Sequence, residues 1–200
     1  MHPYLKFILP AYMLLYFVLL LIMPALIVGK KIGKNPVVIS ATDDAHGLIA
    51  KYFSLCLVSG GFYVVLFAML PTCYAYLLPI SYLESDSIII TGLLILVFSL
   101  VWTAASQINM QASWRVGIDN KQKTALVTEG IFRFSRNPIY LGMIASFVGL
   151  FLITPNAFTL IILIVGNILI QIQVRLEEEF LYRMHGRPYL DYKKAVRRFI

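Results

Sequence analysis

Residues 139–174 read IYLGMIASFVGLFLITPNAFTLIILIVGNILIQIQV, an apolar run broken by Thr154-Pro155-Asn156. Roughly 20 apolar residues cross the hydrocarbon core of a bilayer, so this run is too long for one span. Proline and asparagine at its middle end one helix and start another. The stretch therefore predicts a helical hairpin whose arms are of borderline spanning length. Working outward, Tyr4 to Val28, Tyr52 to Leu78 and Ile88 to Ile108 are three further apolar segments, the second bent at Pro71, whose missing N–H interrupts the helical ladder. Five spans result. The expected fold class is an all-α integral membrane protein of about five transmembrane helices, with a C-terminal helical hairpin and a cytosolic tail. Composition agrees, since 60% of the residues are hydrophobic, 14% are charged and the mean hydropathy is +0.80, outside the balance of a soluble domain. The first segment exceeds the apolar core of a cleavable signal peptide and is followed by Gly29-Lys30-Lys31, so a retained anchor is expected.

Charge orients these spans. Lys30, Lys31, Lys34 and Lys51 flank the first connection, whereas Ile80 to Ser87 carries Glu84 and Asp86 and no Lys or Arg. Arg115, Lys121, Lys123, Arg133 and Arg136 fill the third connection, and all later cations follow Val174. Every Lys or Arg except Lys6 falls on one side if the N-terminus is outside and the C-terminus is cytosolic. The net charge of +7 is then explained by topology and anionic headgroups, and no nucleic acid partner is expected. Cys56 and Cys73 lack metal or redox spacing, and His2, His46 and His185 are too scattered for a metal site. No glycine-rich nucleotide loop is present, which excludes a Rossmann enzyme.

Polar residues beside the hairpin carry the chemistry, because charge is expensive near lipid. In Arg136-Asn137-Pro138-Ile139-Tyr140, Pro138 suits the first helical turn and Asn137 suits a cap. One reading is a capped helix with Arg136 snorkelling to phosphates and Tyr140 in the aromatic belt. The other is an anion site made by a guanidinium at a helix N-terminus. Gly142 and Ser146 offer a small-residue face for helix packing. Met110 to Ser135 is the longest polar connection, with Trp114 suited to the headgroup level and Leu126-Val127-Thr128-Glu129-Gly130 reading as an apolar contact that ends in a turn. In the second arm Asn167, Gln171, Arg175 and Glu178 share a helical stripe, with Gln173 and Glu177 as a neighbouring pair. That stripe faces protein, water or a ligand: it is either a polar helix contact with Arg175 paired to Glu178 or Glu179, or the wall of a cleft. Gly186 stops the helix, Pro188 starts another, and the segment with Tyr189, Tyr192, Lys193, Lys194, Arg197 and Arg198 reads as basic and amphipathic.

The order of these motifs, from Trp114 to Tyr192, resembles the isoprenylcysteine carboxyl methyltransferase family, membrane enzymes related to phospholipid methyltransferases. The resemblance lies in the turn at Gly130, Arg136-x-Pro138-x-Tyr140, the hairpin, Glu177-Glu178-Glu179, and Gly186, Tyr189 and Tyr192. It implies a division into residues 1–109, the first three helices, and 110–200, a methyltransferase-like region with a cofactor-binding tail. It implies S-adenosylmethionine held by Leu126, Val127, Gly130, Phe132, Arg136, Asn137, Pro138, Tyr140, Glu177 and Glu178. The family spacing selects Glu177 for the cofactor, whereas the polar stripe selects Glu178. Two departures bear on the substrate. Asn137 stands where the family usually has histidine, and Gln173 stands where the isoprenylcysteine enzymes have the arginine that holds the substrate carboxylate. Either Arg175, half a turn along, is the replacement cation or the acceptor is something other than a prenylated cysteine, and Arg175 and Gln173 are the expected catalytic, substrate-contacting residues. The implied reaction is methyl transfer to a lipophilic acceptor from the bilayer, foremost the carboxyl group of a prenylcysteine-like molecule. A phospholipid N-methyltransferase, a sterol-type reductase using NADPH and a non-enzymatic membrane scaffold are the alternatives.

Overall fold

The computed structural model describes residues 2–37, 45–115 and 125–200. Helices α1 (Leu5–Phe17) and α2 (Met23–Ile32) join through a π-helical turn, Val18–Ile22, into one rod of 28 residues. Pro24 has no N–H to offer the Leu20 carbonyl, so the turn widens there, and the Gln107 side chain donates to that carbonyl at 2.7 Å. Helix α3 is Ala45–Met69, α4 is Asp86–Met110, α5 is Pro138–Ile153, α6 is Ala157–His185 and α7 is Arg187–Ala195. The α1–α2 rod, α3, α4 and α6 are long and apolar enough to cross a membrane, and α5 is a shorter apolar helix. The chain is an all-α, multi-pass integral membrane protein.

One expected span is displaced. The second helix is Ala45–Met69, not residues 52–78, and Pro71 lies beyond its end, so there is no bend within it. The residue before a proline is driven out of helical geometry, and Leu70 accordingly sits at φ −130°, ψ 68°, after which Pro71–Leu77 forms a 3-10 helix.

The hairpin turn is pinned from both sides. Asn156 accepts from the Thr159 N–H at 3.0 Å and its own N–H meets Thr159 Oγ1 at 3.3 Å, a reciprocal cap that starts α6. Its Nδ2 donates to Tyr63 of α3 at 2.9 Å, and the Ile80 N–H donates to the Pro155 carbonyl at 2.8 Å. Helices α4 and α5 pack most closely, through glycines. A Cβ on Gly149 would lie 2.6 Å from Leu96 Cδ2 and 3.0 Å from the Gly92 carbonyl oxygen. The expected small-residue face is present: Ser99 Oγ donates to the Gly142 carbonyl at 2.7 Å and lies 2.5 Å from Ser146 Oγ, which Tyr12 reaches at 2.9 Å. Where lipid is as apolar as leucine, such close approaches and hydroxyl bonds supply the association.

The two ends of the bundle differ. At one, His2 meets Asp86 at 2.7 Å beside the 78–80 and 154–156 turns. At the other lie α2's lysines, the 110–115 and 125–137 segments and the tail, and every described Lys and Arg except Lys6 lies towards that end. Lys121 and Lys123 fall outside the described residues.

Candidate active site

At 1.5 Å per residue α5 is ~24 Å long and α6 ~43 Å, so the last turns of α6 outrun the hairpin and stand level with the segment that enters α5. This overhang carries the acidic run. Its central residue, Glu178, is 3% exposed and receives donors from three elements. Arg136 approaches Oε1 through Nη2 at 3.0 Å and Nε at 3.3 Å, and Asn137 Nδ2 donates at 3.2 Å. Arg198 donates to both oxygens, at 3.1 and 2.8 Å, and Lys193 stands 3.8 Å away. A buried carboxylate is tolerated only when paired and bonded in this way. The Glu178 carboxylate in turn holds the Arg198 guanidinium above its ordinary pKa.

The network fastens residues 196–200 over the start of α5. Arg136 donates its backbone N–H to Arg197 at 3.0 Å and its Nη1 to the carbonyls of Lys193, at 2.8 Å, and Val196. Asn137 Nδ2 and Ser135 Oγ both donate to the Arg198 carbonyl, at 3.2 and 3.3 Å. Three expectations are corrected here. Asn137 makes no side-chain cap to α5, because its amide is drawn to Glu178 and the tail. Arg136 does not snorkel to phosphates, because a buried carboxylate in reach outcompetes the interface. Arg175 pairs with neither Glu178 nor Glu179. It bonds back to the carbonyl and Oε1 of Gln171, while Glu179 pairs with Arg183 at 3.5 Å.

Beside this network lies a cavity of about 110 Å³. Leu126, Val127, Phe132, Arg136, Asn137, Pro138, Tyr140 and Glu177 line it. Within the lining, Tyr140 donates its hydroxyl to Glu177 Oε2 at 2.8 Å. Tyr140 thus faces protein and not an aromatic belt. Trp114, expected at the headgroup level, is 3% exposed and buried within the fold. Gly130 does not line the cavity. It shapes the wall, with φ +63° and Asn109 Oδ1 accepting the next N–H, from Ile131, at 2.8 Å. Glu178, Gln173 and Arg175 also lie outside the lining.

The sequence did not point to Met110, Ser113, Arg115, Ile139, Phe180, Leu181 or Tyr192 as lining residues. Phe180 and Leu181 follow Glu177 by three and four positions, the spacing that shares a helix face. Tyr192 donates to the Phe132 carbonyl at 2.7 Å, and burial pushes its pKa up to about 12. Arg198 was legible only as one more basic residue of the tail.

The donor set fits S-adenosylmethionine in chemistry: a carboxylate with a phenol for its cationic groups, and apolar side chains for its purine. The volume is below the roughly 300 Å³ of ordinary small-molecule pockets, so seating the whole cofactor requires the walls to part. Among the described residues no three His, Cys, Asp or Glu side chains gather as a metal site would need.

No curated protein matches the sequence. Residues 87–188 match the family described as phospholipid methyltransferase, starting at the head of α4, earlier than the motifs do, and ending within α7. That span takes in the α4–α5 interface, the hairpin, Arg136, Asn137, Glu177, Glu178 and the cavity lining except Tyr192, while Lys193 and Arg198 of the Glu178 network lie beyond it. Since it covers just over half of the 200 residues, the chain belongs to the phospholipid methyltransferase family.

Proposed function

We propose that this protein transfers a methyl group from S-adenosylmethionine to a lipophilic acceptor at the membrane boundary, and that the reaction takes place in the Glu177 cavity. The observation that carries the reading is the Tyr140–Glu177 pair, set in an apolar-walled cavity where α5 leaves the membrane. Family membership supports methyl transfer as the reaction class. When bound, S-adenosylmethionine supplies a methyl group on a sulfonium, open to in-line displacement. Leu126, Val127, Phe132 and Pro138 enclose it and exclude water, and Glu177 meets its positive charge.

For the acceptor we infer a lipid amine. An ammonium must lose a proton before its lone pair can attack, and in this reading the proton goes to the Glu177 carboxylate, whose Oε2 accepts the Tyr140 hydroxyl. The prenylcysteine-like carboxyl group, which the motif spacing favours, is the second reading. A carboxylate needs no base but is best held by a cation. Arg115 and Arg136, the two cations in the lining, already donate to backbone carbonyls, and Arg175 points elsewhere.

The test is titration of the purified chain with S-adenosylmethionine and separately with NADPH, then labelled methyl transfer to phosphatidylethanolamine, a farnesylated cysteine and membrane lipid extract. We expect S-adenosylmethionine to bind and Glu177→Gln to weaken it by one to two decades, about 1.5 to 3 kcal/mol for a charge-assisted contact. Binding of NADPH alone would refute the methyltransferase reading. Methylation of the farnesylated cysteine but not the amine would refute the acceptor.

A further inference from the structure

Arg175 is left without a role by the cavity. It lines instead a separate open groove of about 550 Å³, with Glu179, Tyr182, Leu190, Lys193 and Arg198, and with the buried Glu178 also in its wall. We propose that this groove binds the phosphodiester headgroup of an anionic phospholipid that is not itself the methyl acceptor.

Position is the first argument. Arg175 is the first charged residue after the apolar run of α6, so the groove opens where hydrocarbon gives way to headgroups. Charge is the second. The groove's cations, Arg175, Lys193 and Arg198, are joined by Arg136 and Arg183, which pair with its carboxylates, so five cations stand against Glu178 and Glu179. The surplus is positive. Among the described residues no carboxylate lies within 4.0 Å of the Arg175 guanidinium, and Lys193 is half-exposed with only a long 3.8 Å approach to Glu178. Both keep free donors, and Gln171 fixes one edge of Arg175, which orients the rest. Shape is the third, since Tyr182 and Leu190 are exposed on the same groove and offer apolar surface to a glycerol backbone and the first acyl carbons. Clustered cations just beyond a membrane helix attract anionic lipid in this way. Phosphatidylglycerol has the required charge and no amine to methylate.

The experiment uses the full chain in detergent with equimolar phosphatidylglycerol and phosphatidylcholine, with lipid retention read by native mass spectrometry. Phosphatidylglycerol should be retained preferentially. The preference should fall about fivefold for each of Arg175→Gln and Lys193→Gln and roughly 25-fold for both, while Lys30→Gln with Lys31→Gln leaves it within about twofold. Arg175→Lys, which keeps the charge, should keep the preference and guards against an effect of misfolding. Equal retention of the two lipids by the unaltered chain, or an undiminished preference in the double variant, overturns the proposal. Displacement of phosphatidylglycerol by millimolar inorganic phosphate also overturns it and assigns the groove to a soluble phosphate.

Discussion

Two adjacent carboxylates have opposite surroundings, and their substitutions should separate accordingly. Glu178 meets two arginines, an amide and a lysine, so Glu178→Gln leaves the buried Arg136 guanidinium and the partly exposed Arg198 without their counter-charge and should lower stability by about 3 kcal/mol. Glu177→Gln touches one phenol and should leave the melting temperature in detergent nearly unchanged while weakening cofactor binding. Equal melting of both variants would contradict this division. Arg136→Ala should lose stability as well as binding, since Arg136 holds the tail as well as Glu178. Tyr192 gives a pH-dependent counterpart. Burial favours its protonated form, so its folded pKa of about 12 lies above the ordinary 10.0. The stability it contributes is complete below pH 10 and declines as pH rises towards 12. Alkaline melting curves should show this loss, and Tyr192→Phe should remove it at the expense of about 1 kcal/mol at neutral pH, where the bond to Phe132 is missing. Much of the site was legible in residue type and order: Tyr140, Glu177, Leu126, Val127, Phe132 and Pro138 surround one cavity. What Arg136, Asn137 and Glu178 do was not legible, because it depends on Arg198 returning from 20 residues beyond Glu178, a contact no local spacing encodes.

Helix boundaries in this chain follow local chemistry, whereas helix contacts follow the absence of side chains. The hairpin turn could be read from Thr154-Pro155-Asn156 because a proline and a capping asparagine act within a few residues. The end of α3 was misplaced because hydropathy continues through residues 70–78 although the backbone does not, Pro71 having ended the helix. The α4–α5 crossing was half legible. Gly142 and Ser146 announced a close-packed face, but the partners Gly92, Leu96 and Ser99 lie on another apolar helix with nothing to distinguish them. This crossing yields a paired prediction. Gly149→Ala places a methyl 2.6 Å from Leu96 Cδ2 and 3.0 Å from a backbone oxygen that cannot retreat, and overpacking of this kind costs about 1 to 3 kcal/mol. Gly60→Ala meets nothing nearer than Ile162 at 4.0 Å, so it should be neutral or stabilise by up to about 1 kcal/mol through helix propensity. Unfolding of both variants in mixed detergent micelles measures the difference, and a larger loss at Gly60 would refute the assigned interface.

Across the whole molecule, the bundle separates an end poor in cations from one rich in them. His2, Asp86 and the 154–156 turn gather at the first, and α7, the Glu178 network and Phe199 against the α3–α6 cluster gather at the second. Five apolar helices between the termini place them at opposite ends, and cationic loops are retained on the cytosolic face. The expected orientation is therefore N-terminus outside and tail in the cytosol, which also gives the cavity and the Arg175 groove access to cytosolic solutes. Single cysteines test this in a Cys73→Ser background, since Cys73 is half-buried in the 71–77 turn and Cys56 is buried within α3. Ser85→Cys and Ala195→Cys are both exposed and lie at opposite ends. In intact cells a membrane-impermeant maleimide should label Ser85→Cys, while Ala195→Cys should react only after permeabilisation. The reverse pattern would invert the orientation and leave the fold standing. Labelling of both from outside would mean that one apolar helix does not cross, and α5, at 16 residues the shortest, would be the helix to re-examine as a re-entrant arm.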